Sequence, residues 1–385
     1  MGTTLWKRGA GGELKKKTLR RIYSLFYRLL PVTKVNVDDE LYLLNEDEIT
    51  AIKKRENIAI TTSAIIGALG VILLYVPYYL LPQWFQPIPF TLMGKTFQVP
   101  VAFILYSVLL VAIEILLLTF LNIWCAHEIA VSTGFLNYEN KRQPEKHNLL
   151  LDIGLEKKNK KVLSYGIDPL MGVNRKALIA WNLLFILKAT LTNFLFRFFI
   201  QRVMGRYLVR AIQDFAGIPI FAFWNAYGTR TILKEARVII MGQNLIELFM
   251  NRIKYAGGIP DDKKSIISDT MQYIAVSKRD FHQNHFLLTH NLFEFFGIEA
   301  RKGHWDEKNY LKELKEADPA IRNQCLFIIL LGDLLDGKIS ARERVKLKNL
   351  RDSGLVDYSD LEMKQFTKDF LEGRGIEPLL QKYLG

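Results

Sequence analysis

Four long apolar runs stand out from an otherwise mixed chain, at residues 58–81, 101–125, 177–200 and 207–228. The first carries no charge and the second only Glu114. A hydrocarbon core about 30 Å thick needs about 20 helical residues, so both runs predict membrane-crossing helices. The third carries Lys188 and Arg197, and the fourth Arg210 and Asp214, with apolar or aromatic residues at nearly every other position. A helix that is apolar all round must be buried or sit in lipid. The pattern predicts an all-α polytopic membrane protein with four transmembrane helices and a helical cytoplasmic C-terminal domain.

Outside these runs the periods are helical. Residues 14–30 set Leu14, Leu19, Ile22, Leu25, Phe26, Leu29 and Leu30 largely opposite Lys15, Lys16, Lys17, Arg20, Arg21 and Arg28. That is a basic amphipathic arm suited to anionic lipid headgroups. An acidic-then-basic helix over 38–57 leads into the first run, and residues 137–170 read as an irregular polar loop. A helix over 229–255 follows the fourth run, broken by Gly257, Gly258 and Pro260, and a second is expected over 262–296. The last segment reads as short helices opened by Asp318-Pro319 and by two capping boxes, Ser340 with Glu343 and Ser359 with Glu362. The organisation is therefore 1–57, an arm and helix; 58–228, four spans with a cytoplasmic loop at 126–176; 229–302, long cytoplasmic helices; and 303–385, a helical tail.

Orientation follows from the basic residues of the short loops. Lys53, Lys54 and Arg55 precede the first span, nine Lys/Arg occupy 141–176, and Arg230, Lys234 and Arg237 follow the fourth, whereas the 83–98 loop holds Lys95 alone. Both termini are expected in the cytoplasm, with Trp124, Trp181 and Trp224 at the cytoplasmic ends of their helices. Glu114 and Lys188 then fall at equal depth, 11 positions in from Cys125 and Ala177, and are expected to pair. Arg197 and Arg210 are expected to reach Asp214. Ionisable groups inside a bilayer need partners or a function, so these five residues read as structural ion pairs or as an ion path. Ser63 and Gly67 form a small-xxx-small pair suited to close helix packing.

Composition narrows the chemistry. Of 385 residues, 50% are hydrophobic, and the net charge is +13. Residues 1–36 hold nine Lys/Arg against Glu13, so eight of those charges belong to the arm rather than to a nucleic-acid-reading surface. Two cysteines, Cys125 and Cys325, exclude a disulfide scaffold. Phosphate-binding loops, zinc-protease motifs and nucleophile elbows are absent, and no cofactor is implied. His282 and His285 share a helix face while His290 is rotated away, a weak metal candidate. With Gly337 at position 6 of a calcium loop, Asp336 and Glu343 fall at positions 5 and 12, but Gly332 and Leu334 at positions 1 and 3 offer no side-chain oxygen.

The stretch from Cys325 through Asp336-Gly337-Lys-Ile-Ser340 to Glu343 resembles the TerB-like (tellurite-resistance) helical domains over about 60 residues. That resemblance implies a link to metal response or to membrane-associated stress and signalling assemblies. The first 300 residues, with Trp224-Asn225 and Glu235-Ala236-Arg237, look like uncharacterised bacterial multipass proteins. The expected function is a bacterial inner-membrane scaffold or signalling component, not an enzyme, whose cytoplasmic helices dock a protein partner. Anionic lipid and a second copy of the chain are further expected partners. A permease subunit using the intramembrane charges and a membrane-bound metal-responsive stress protein are the alternatives.

Overall fold

The computed structural model describes residues 24–27, 29–31, 43–92, 95–136, 167, 214–215, 217–256, 264–278, 282–299 and 305–384. It is mostly helical, as the sequence pattern requires. The chain divides into two compact units: residues 58–121 with 170–230, and residues 1–57 with 122–169 and 231–385.

Helix α1 (Glu46–Leu80) opens on Asn45, whose side chain accepts from the Glu48 N–H while the Glu48 carboxylate accepts from the Asn45 N–H, each at 2.9 Å. This is a capping box with asparagine in place of serine. After a turn at Pro82–Phe85 the chain forms an antiparallel hairpin, β1 (Ile88–Leu92) and β2 (Lys95–Val99), with Ile88 opposite Val99. The hairpin occupies the segment expected to be a loop, in a chain that is otherwise mostly helical. Aromatic and β-branched residues such as Phe90, Thr96, Phe97 and Val99 favour strand, and Pro89 is tolerated because a two-stranded sheet has only edges. Helix α2 (Val101–Ser132) follows, and helix α3 (Gly217–Ala256) runs on through residues 229–255 as expected.

Helices α1 and α2 are long and apolar enough to cross a membrane. Among the described residues there are two such helices, not four. The run 177–200 lies outside the described residues, and 207–228 is described only at 214–215 and from Gly217, where it is already part of α3. Most of the basic arm and of the 137–170 loop also lies outside them.

In the 58–121 and 170–230 unit, α1 meets α3 at the small-residue pair. Ser63 is fully buried, and a Cβ on Gly67 would stand 2.6 Å from the Phe221 carbonyl oxygen and 2.7 Å from Asn225 Nδ2. A backbone oxygen cannot step aside as a flexible side chain can, so Gly67→Ala is expected to destabilise this unit by about 1–3 kcal/mol. Gly228→Ala is the control, because a Cβ there meets nothing within 4 Å. It should be neutral, or stabilising by about 0.5–1 kcal/mol through helix propensity. Thermal melting in detergent separates the two, and equal melting temperatures would refute the close approach.

The other unit is built around one helix. Helices α4 (Lys264–Lys278), α5 (Gln283–Phe296), α6 (Glu307–Glu316), α7 (Pro319–Leu334), α8 (Ala341–Asp352), α9 (Asp360–Glu372) and α10 (Glu377–Leu384) follow α3 in order. Every residue of α7 from Cys325 to Leu334 is buried, and this helix packs against α4, α6, α9 and α10. Helices from both sides of residue 303 thus share one core. The single helix expected over 262–296 is two: α4 ends at Lys278, and α5 begins on its own cap at His282. Asp318 caps α7, and both predicted capping boxes form at the starts of α8 and α9. The start of α1 docks on the end of α9 through Leu44 N–H to Gly373 O at 2.8 Å and Lys53 to Glu372 at 3.3 Å.

Candidate functional site

Two polar constellations sit in apolar surroundings, one in each unit. The first belongs to the apolar helices. Asn225 Nδ2 on α3 donates to Glu114 Oε1 on α2 at 2.6 Å. The glycines of α1 leave room for it: a Cβ on Gly70 would lie 3.4 Å from Glu114 Oε2. Glu114 therefore has a carboxamide partner, while Lys188, its expected partner, lies outside the described residues. Asp214 accepts from the Tyr79 hydroxyl at 2.6 Å, and Arg197 and Arg210 lie outside the described residues. The Asn225 bond also puts the Trp224 level of α3 beside Glu114. An interfacial Trp224 and a mid-bilayer Glu114, both expected from the sequence, do not fit together.

The second constellation surrounds the motif that resembles TerB-like domains. At its centre is Lys278, the last residue of α4, with its side chain 2% exposed. Its ammonium donates to Asp336 Oδ1 at 2.7 Å and to the Asp333 carbonyl at 3.1 Å, and it is ion-paired with Glu343. Glu343 is buried and also accepts from the Ser340 N–H at 2.6 Å, so one carboxylate closes the capping box and holds the lysine. The sequence predicts only the cap. The Gly337 turn between these groups has φ +66°, and a Cβ there would stand 2.6 Å from Val238 Cγ2, so glycine alone fits.

Burial opposes the charge of Lys278, but Asp336, Asp333 and Glu343 outweigh it and hold its pKa above the usual lysine value. Burial drives the Asp333 carboxyl well above the ordinary aspartate range against the pull of Lys278, and its bond to Glu343 adds to the rise. Lys278 is thus held between the Asp336 and Glu343 carboxylates, with Asp333 buried beside them. The carboxylates that a calcium loop would turn toward a metal are turned toward an ammonium instead.

The histidines have separate roles beside this cluster. His282 caps α5: its Nδ1 accepts from the Asn284 N–H at 3.2 Å, which leaves Nε2–H to donate to Glu235 at 2.9 Å. His285 is fully buried and donates from Nε2 to the Gly332 carbonyl at 2.7 Å. Burial, reinforced by the nearby Lys278 charge, lowers its pKa to about 3, so it stays neutral. His290 pairs with Glu294 on the surface at 3.5 Å. His282 and His285 do not converge on a common point. Asn284 instead joins the elements, donating from Nδ2 to Val238 O at 2.8 Å and Leu335 O at 2.9 Å. The cluster binds α3, α4, α5, α7 and α8 at one buried joint.

No family model, curated protein or solved structure matches this chain.

Lys278, Asp333 and Asn284 carry no local signal. Lys278 is a single basic residue at a helix end, and Asp336 lies 58 positions away.

Proposed function

We propose that the protein is a membrane-anchored scaffold or signalling component of the bacterial inner-membrane type, whose helical 231–385 region docks a protein partner in the cytoplasm. The observation that carries this reading is the surface of α2. Ile104, Leu105, Val108, Leu109, Val111, Ile113, Ile115 and Leu117 are all exposed. At 100° per residue they sweep about 240° of the helix, leaving one narrow stripe centred on Glu114 for contact. Water cannot cover such a surface without a large free-energy cost, and lipid can. Residues 58–80 of α1 would span about 34 Å at 1.5 Å per residue, enough for the hydrocarbon core. In this reading 177–200 and 207–228 add the third and fourth spans, both termini are cytoplasmic, and the basic arm lies on anionic headgroups.

Thiol labelling tests the topology. Cys125 and Cys325 are buried, which leaves a clean background. In intact cells an impermeant maleimide is expected to label Gln98→Cys in the hairpin and to spare Arg342→Cys on α8 until the cells are opened. Labelling of both before lysis, or of neither, would end the four-span reading. Crosslinking in cells with mass spectrometry tests the scaffold role: specific partners should attach to residues 231–385.

The Glu114–Asn225 bond favours a second reading, a permease subunit. In that case Glu114→Gln in proteoliposomes abolishes solute or proton flux without lowering the melting temperature. For a scaffold the bond is only a helix–helix contact, and flux is absent from wild type and variant alike.

A further inference from the structure

Helices α3 and α5 run side by side with their numbering rising together: Glu235 meets His282 and Val238 meets Asn284. Further along they border an open cleft of about 490 Å³. Gln243, Glu247 and Asn251 line it at successive turns of α3, and Asn291, Glu294 and Phe295 line it from α5. Among the described residues the side chains of Gln243, Glu247, Asn251 and Asn291 make no hydrogen bond or ion pair with the rest of the chain. Three unused carboxamides and a carboxylate therefore open onto one trough.

Their spacing selects a ligand shape. Residues four apart on a helix advance 6.0 Å, at 1.5 Å each, and an extended chain advances about 6.6 Å every two residues. Side chains at 243, 247 and 251 can therefore meet alternate peptide groups of one extended segment. A carboxamide has both a donor and an acceptor, so it can bond the N–H and the C=O of the backbone it meets. From Gln243 to Lys254 the lining covers about 16.5 Å, or about five extended residues. Glu247 and Glu294 outnumber the one lysine of the lining, Lys254, on a chain whose net charge is +13. They suit a guanidinium or ammonium, and Phe295 and Leu287 suit an apolar neighbour.

We propose that this cleft binds an extended segment of a partner protein, about five residues long, with arginine or lysine beside an apolar residue. The proposal rests on the scaffold reading only in requiring a partner. Fluorescence anisotropy on the full chain in detergent tests it with two labelled pentapeptides, Ala-Arg-Leu-Arg-Ala and its twin Ala-Glu-Leu-Glu-Ala. The arginine peptide is expected to bind saturably and at least tenfold more tightly than the glutamate twin. Asn251→Ala combined with Asn291→Ala should weaken it tenfold or more, and Glu247→Lys should reduce it at least as much. These side chains are exposed or half-buried, so melting temperatures should stay at the wild-type value and the loss can be read as binding. Equal affinity for both peptides, no binding at millimolar peptide, or binding untouched by the double variant would overturn the proposal. A cellular partner that co-purifies equally well with the double variant overturns the cleft and leaves the scaffold reading intact. Peptide binding with the stated dependences, in a chain that retains no cellular partner, does the reverse.

Discussion

Lys278→Met is expected to destabilise the 231–385 helices by about 3–5 kcal/mol, the usual cost of stranding one side of a buried ion pair. Methionine keeps most of the length and loses the charge. Asp336 and Glu343, whose side chains are 6% and 0% exposed, would then face each other with no cation between them. One of them would take up a proton to escape the repulsion, so the loss should be partly recovered by acidification. Adding Asp336→Asn and Glu343→Gln removes the stranded charges, and the triple variant is expected to regain much of the stability. Lys348→Met, on the exposed side of α8, is the control and should stay within about 0.5 kcal/mol of wild type. Urea midpoints followed by circular dichroism decide the matter. A loss at Lys278 no larger than at Lys348 would mean the cluster is not the joint described here.

What could be foreseen of this joint follows the range of each interaction. The caps at Asp318, Ser340 and Ser359 are legible because their signals are complete within four residues. The apolar helices are legible because their runs exceed what a soluble helix needs, and Gly67 because a small residue four positions from Ser63 is itself a packing signal. The two ends of α4 and α5 were hidden, since a histidine cap is a weak stop signal beside Ser, Thr, Asp or Asn. Glu343 reads as a cap and no more: its second partner, Lys278, comes from another helix that only the fold brings near. Glu114 shows the same limit. Its need for a partner is readable, but Asn225 lies 111 positions away, and Lys188, the partner expected from charge matching, lies outside the described residues. The hairpin was missed because prolines in the 83–98 segment mask its strand-forming residues.

The pH dependence of the same helices should separate two buried groups that pull in opposite directions. The folded-state pKa of His285 is lowered from 6.5 to about 3. Below pH 6.5 the unfolded chain binds a proton there that the folded chain refuses, so stability falls as pH falls, by about 1.4 kcal/mol per pH unit. The folded-state pKa of Asp333 is raised well above 3.8. Above about pH 4 the folded chain keeps a proton that the unfolded chain has lost, so stability falls as pH rises, at the same slope. Above about pH 4 and below 6.5 the two groups therefore pull stability in opposite directions. Wild type is therefore expected to lose less stability in mild acid than a variant in which Asp333 cannot titrate. Asp333→Asn should remove the loss that Asp333 causes as pH rises and expose the His285 acid loss between pH 6.5 and 4.5. His285→Asn should do the opposite, becoming more stable as pH drops through that window. Measurements should stop near pH 9, where Cys325, Tyr273 and Tyr310, all raised by burial, begin to add losses of their own. If Asp333→Asn leaves the wild-type profile unchanged, Asp333 does not hold its proton more tightly in the folded chain than in the unfolded one.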